Sequence, residues 1–136
     1  MFDKDLFNAN KLEIEFVCKI IRPWIVKVEF GQDEERDIRL TDREWKVRTY
    51  EVKNCNKAEK SVCFEYKYKW KPSGIFISKA DVIVYYFDNT FYWQDRWKLI
   101  TQLMDVNKHK SVWWDNENSE LYIVDKNIAK LLFNKL

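Results

Sequence analysis

Residues Val82–Phe87 read VIVYYF, six apolar or aromatic side chains without a polar break. A strand with one wet face alternates polar and apolar residues, whereas an unbroken run needs packing on both faces. The chain must therefore build a sheet with layers above and below it, as α/β domains do. Only two Gly and two Pro occur in 136 residues, and 46% of the chain is hydrophobic. That is enough for one solid core in a single domain over residues 1–136.

The flanking sequence supplies the layers. Asn10 can cap a helix over KLEIEFVCKIIR, residues 11–22, with Leu12, Phe16 and Ile20 in one row and Glu13, Phe16, Val17 and Ile20 in an overlapping one. Pro23 closes it. Residues 24–30 alternate as a strand with Trp24, Val26, Val28 and Phe30 inward. Residues 37–40 and 45–53 predict a hairpin around TDRE, and residues 62–70 another alternating strand before the breaker KPSG. After VIVYYF, Asp88-Asn89 turns the chain. Residues 96–105 have helical spacing in Trp97, Ile100 and Met104. LYIV makes a last short strand, and residues 126–136 form a helix with Ile128, Leu131 and Leu132 on one side. The order α-β-β-β-β-β-α-β-α predicts one mixed sheet with flanking helices.

Charge and cysteine usage narrow the function. Net charge is +2, too mild on its own to imply nucleic acid, but residues 53–79 carry seven lysines against two glutamates. Such a stretch attracts phosphate, and a plain solvated surface accounts for it nearly as well. Three cysteines without a CxxC and one histidine, His109, argue against a disulfide scaffold and a structural zinc site. MFDKDLFNAN shows no secretory signal and no run approaches a membrane span, so a reducing cytoplasm is the expected setting and no membrane partner is expected.

The chemistry concentrates in two look-alike triplets, Glu51-Val52-Lys53 and Glu65-Tyr66-Lys67. Residues two apart on a strand share a face at about 6.6 Å, so each triplet directs a carboxylate and an ammonium into one space. In this reading both triplets have that geometry, and Glu51 and Lys53 face solvent while Tyr50 and Val52 face the core. The first triplet alone has a preceding strand that begins with an apolar-flanked acid, Asp37. Two carboxylates and a lysine suit phosphodiester hydrolysis with magnesium, which takes hard oxygen ligands and keeps several waters. A solvated strand face with ordinary salt bridges is the rival reading of these three residues.

RDIRL…YEVKN resembles the motifs of the PD-(D/E)XK nuclease superfamily, which includes Holliday-junction resolvases and small phage-type endonucleases; FEY…KPSGI…SKAD resembles a segment following ExK in a phage-type branch. The resemblance implies a restriction-endonuclease-like core and a Mg²⁺-dependent endodeoxyribonuclease, with Mn²⁺ able to replace Mg²⁺. It casts Asp37 and Glu51 as metal ligands, the Val52 carbonyl as completing the shell, Lys53 as the catalytic lysine and Glu13 as an assisting carboxylate, with Glu15 as the second choice for that last role. Hydrolysis in that superfamily leaves a 5′-phosphate and a 3′-hydroxyl. The pattern departs where Arg36 stands in place of the superfamily's proline, and Asp33, Glu34 and Glu35 crowd the same stretch as rival carboxylates. DNA is the implied partner, with Lys67, Lys69, Lys71 and Lys79 as backbone contacts; a solvated face explains Lys67 and Lys69 equally well. A homodimer would suit cutting of two strands. A non-enzymatic nucleic-acid-binding protein of the same fold and a protein-interaction or inhibitor module are the alternatives. Ser73-Gly74, His109 and Trp113-Trp114 are weaker candidates for phosphate, base and stacking roles.

Overall fold

The computed structural model describes residues 11–31, 38–68, 71–106, 109–110 and 119–136. Helix α1 (Lys11–Ile20) leads into a meander of β1 (Ile25–Phe30), β2 (Ile38–Asp42) and β3 (Val47–Asn54). The chain then leaves this sheet through β4 (Ser61–Tyr68), β5 (Lys71–Pro72) and a 3₁₀ turn (Gly74–Phe76). It returns as β6 (Val82–Phe87) and β7 (Thr90–Asp95). Helix α2 (Arg96–Val106), β8 (His109–Lys110), β9 (Ser119–Asp125), α3 (Lys126–Leu132) and β10 (Asn134–Lys135) complete the order.

The α/β class, the mixed sheet and the flanking helices match the expectation, but there are two sheets. One runs β1-β2-β3-β6-β7-β10, the other β5-β4-β9-β8. All described pairings are antiparallel except β3 with β6. A parallel pair cannot be closed by a tight turn, so a long crossover is needed. Residues 55–81 provide it, and part of that crossover pairs with β9 to form the second sheet. This pairing joins segments far apart in sequence, and alternation within either strand does not encode it.

β6 explains its own unbroken run. Val82 and Val84 enter a core with Phe16 and Val17 of α1, Phe30, Ile38, Leu40 and Phe91. Ile83, Tyr85 and Phe87 enter a second, larger core with Val62, Phe64, Leu99, Leu103 and Val124. Burial on both faces stabilises the strand by roughly 1.5–3 kcal/mol per large side chain. Asp88 and Asn89, with φ of 52° and 55°, form the two-residue turn that suits a hairpin, and they lead into a strand, β7, that the sequence reading had not assigned.

Several expected faces are rotated. Trp24 and Val26 are exposed, because a bulge between Ile25 and Lys27 resets the alternation of β1. Trp97 and Met104 are exposed on α2 while Leu99, Ile100 and Leu103 are buried. The last helix stops at Leu132; Phe133 turns extended, and Asn134 and Lys135 pair with Trp93 and Tyr92 instead. Among the described residues no helix is long and apolar enough to cross a membrane.

Candidate active site around Glu51 and Lys53

β3 lies between β2 and β6, and its alternation sorts the triplet. Tyr50 and Val52 pack toward α1, with the Phe16 and Tyr50 rings 5.5 Å apart. Glu51 and Lys53 point the other way. The parallel register sets them beside Ile83 and Tyr85, which belong to the larger core. The expected hairpin is present: Ile38 pairs with Tyr50 and Thr41 with Val47. Asp37 lies outside the described residues.

Glu51 does not face solvent as the sequence suggested; it is only 3% exposed. The reason is its place on a central strand, on the face covered by the second layer. A buried carboxylate is costly unless it is paired. The Lys53 ammonium lies 3.7 Å from Glu51 Oε2, and the lysine side chain is 41% exposed, so the pair runs from the interior to the surface.

Arg96 is a second cation near Glu51. It opens α2, donates from Nε to the Ile75 carbonyl at 2.7 Å and from Nη2 to the Phe76 carbonyl at 2.6 Å, and so fastens the 3₁₀ turn. Burial lowers the Arg96 pKa, and the Glu51 carboxylate opposes that shift. Sequence reasoning missed Arg96. A signal existed, since a cation in the first turn of a helix opposes the helix dipole and calls for another reason to be there.

Tyr85 was also missed, being read as core alone. Burial raises its hydroxyl pKa well above the usual phenol value, with Cys55, Glu51, Cys63 and Glu65 adding to the shift in that order. The glutamates of both triplets therefore act on one tyrosine. Burial likewise raises the Cys55 thiol to about 11, helped by Cys63 and opposed by Lys53.

The other predicted residues are dispersed. Glu13 is buried with Phe16 and Val17 on the α1 face that packs on the Tyr50 side, so it approaches the sheet from the side opposite Glu51. Lys67 and Lys71 are near neighbours where β4 pairs with β5, through Lys67–Pro72 and Tyr68–Lys71. Lys79 is exposed beyond the 3₁₀ turn. Lys69, Trp113 and Trp114 lie outside the described residues. His109 is on β8, with β9 between it and β4. Ser73 precedes the turn with its hydroxyl buried and unmatched by a hydrogen-bond partner among the described residues.

Among the described residues no group of three or more His, Cys, Asp or Glu side chains is placed to hold a metal ion. Glu51 and the Val52 carbonyl are hard oxygen donors adjacent in the chain. Magnesium takes oxygen donors of this kind, commonly one or two carboxylates, and retains water. No family model matches the chain, and neither a curated protein nor a solved structure matches it.

Proposed function

We propose that the protein is a metal-dependent endonuclease that hydrolyses DNA phosphodiester bonds, on a restriction-endonuclease-like core. The observation that carries this reading is Glu51, a carboxylate held 3% exposed on a central strand, with the ammonium of a half-open lysine 3.7 Å away. A purely structural ion pair gains little from such placement, because desolvation offsets the attraction. A reactive site gains a fixed oxygen donor and a cation that reaches the surface.

Glu51 and the Val52 carbonyl, with Asp37, which precedes Ile38 in sequence, would hold Mg²⁺ or Mn²⁺. When bound, the ion supplies positive charge that polarises the phosphate and acidifies water. Lys53 orients the attacking water or meets the negative charge that grows on the phosphoryl oxygens. Arg96 fastens the 3₁₀ turn and adds positive charge near the Glu51 carboxylate. Water oxygen bonds to phosphorus while the 3′-oxygen leaves, giving a 5′-phosphate and a 3′-hydroxyl. Lys67, Lys71 and Lys79 offer sequence-independent contacts to the DNA backbone, whose strength falls as salt rises.

Cleavage of plasmid and branched DNA with Mg²⁺, Mn²⁺ or EDTA tests the proposal. Metal-dependent nicking by the wild type that disappears in both Asp37→Ala and Glu51→Ala is the expected result. DNA binding without cleavage under every metal would leave the non-enzymatic reading standing.

A further inference from the structure

Among the described residues the two sheets have four edge strands, and three of them, β5, β8 and β10, are two residues long. Such short edges offer little to a second chain. β1 is the exception. It spans Ile25–Phe30, and among the described residues β2 is the one strand paired with it. The amides and carbonyls on its outer side therefore point where a further strand would pair. Apolar side chains flank that edge, with Trp24 51% and Val26 53% exposed. A long edge bordered by exposed apolar groups is a template for added β structure.

Backbone pairing alone would accept any strand, so the side chains must select the occupant. The bulge between Ile25 and Lys27 leaves residues 27–30 in regular register with β2. Val28 and Phe30 face the core that includes Phe16 and Val17 of α1, so Lys27 and Glu29 share the opposite face. Their contacts within the chain are long and exposed: Glu29 Oε1 lies 3.7 Å from Lys27 Nζ and 3.8 Å from Arg39 Nε. Pairs of this kind contribute little, which leaves both groups able to turn to a neighbour. A lysine on an edge strand commonly wards off pairing. Glu29, two residues on, changes that guard into a choice of partner, because one face now carries both signs at the spacing of a strand.

The chain itself supplies the complement. A two-fold axis normal to the sheet sets two β1 edges antiparallel and keeps matching faces together, so each possible register is centred on one residue. Centring on Lys27 opposes the two lysines, and centring on Glu29 opposes the two glutamates. Like charges directly opposite each other destabilise a ladder. Centring on Val28 sets Lys27 against the partner's Glu29 and Glu29 against the partner's Lys27, with the two valines meeting on the axis. The same register brings the exposed Val26 beside the partner's Phe30.

We propose that β1 is a homodimer interface, in which two copies join edge to edge through antiparallel β1 strands centred on Val28, with reciprocal Lys27–Glu29 pairs fixing the register. The two six-stranded sheets then run on as one. This proposal is independent of the DNA-cleaving reading, since none of its residues belongs to the Glu51–Lys53 site.

Analytical ultracentrifugation of charge-reversed variants tests it. One strand pair is a small interface, so wild type should show a monomer–dimer equilibrium in the micromolar range. Lys27→Glu and Glu29→Lys should each weaken dimerisation by at least about 10-fold, because both cross-strand pairs become like-charged. Their thermal midpoints should stay near that of wild type, since the altered side chains are exposed. The double variant Lys27→Glu/Glu29→Lys should regain the dimer. Mixing the two single variants is the sharpest arm: each self-associates poorly, yet together they restore opposite charges at both pairs and should form a heterodimer. Wild type that stays monomeric up to about 100 µM would overturn the proposal. So would a dimer that neither single reversal weakens, because its interface would lie elsewhere. Single variants that lose the dimer without regaining it on mixing would overturn the Val28-centred register. Each of these results leaves cleavage at Glu51 to be decided by its own test.

Discussion

Glu51-Val52-Lys53 and Glu65-Tyr66-Lys67 are one sequence pattern set in two strands, and the strands treat it differently. β3 is flanked by β2 and β6 in regular register, so Glu51 and Lys53 share a face and lie 3.7 Å apart. β4 carries a bulge at its triplet: Glu65 pairs with Leu121, but Lys67 pairs with the next residue, Glu120. The extra residue interrupts the ladder at the second triplet, whereas the ladder through the first is continuous. The 3₁₀ turn also presses on β4. A side chain at Gly74 would meet the Glu65 carbonyl oxygen at 2.1 Å. Identical residue spacing therefore sits in a continuous ladder in β3 and at a bulge in β4.

Four experiments would break or sharpen this comparison. The largest contrast lies between the glutamates. Glu51→Ala should lower metal-dependent cleavage by at least about 10³-fold, whereas Glu65→Ala should change it by less than about 10-fold. The reverse order would mean that the bulged triplet carries the chemistry. The lysines come next. Lys53→Ala should reduce the single-turnover rate at saturating DNA by about 10²-fold with little loss of affinity, and Lys53→Arg should stay impaired because a planar fork replaces a compact ammonium. Lys67→Ala should weaken binding, flatten its salt dependence by about one unit and spare the saturated rate.

Gly74→Ala probes the packing of the 3₁₀ turn on β4. Its positive φ and the close Glu65 carbonyl together should cost at least about 2 kcal/mol in chemical denaturation. A neutral result would show that the turn yields easily. The smallest effect concerns Cys55, two residues beyond Lys53. Its folded pKa, raised from 9.0 to about 11, means that the fold favours the neutral thiol. That contribution is fully present below pH 9 and is lost as pH rises through about 11, because the unfolded thiol ionises first. Cys55→Ser should flatten this part of the stability profile, and an unchanged alkaline limb would assign it to other groups.

Much of the fold was legible where a signal was local. The apolar run of β6, the alternation of β3 and the Asp88-Asn89 turn each specify their own geometry. The second sheet was not legible, since β4 and β9 are joined by contacts that neither segment encodes alone. The bulges in β1 and β4 were hidden for a related reason: partner register produces them, and sequence spacing is unchanged by it. At the candidate site, the face shared by Glu51 and Lys53 followed from period two. The depth of Glu51 did not, because its cover comes from elements distant in the chain. Arg96 and Tyr85 joined the site through that same long-range packing.

The most direct test of a metal site at the first triplet is anomalous diffraction from a crystal soaked in Mn²⁺. The account predicts a peak at about 2.1 Å from a Glu51 carboxylate oxygen, with the Val52 carbonyl and Asp37 in the same shell. A manganese peak seated at Glu65 instead, or a fully soaked crystal with no peak at Glu51, would contradict it.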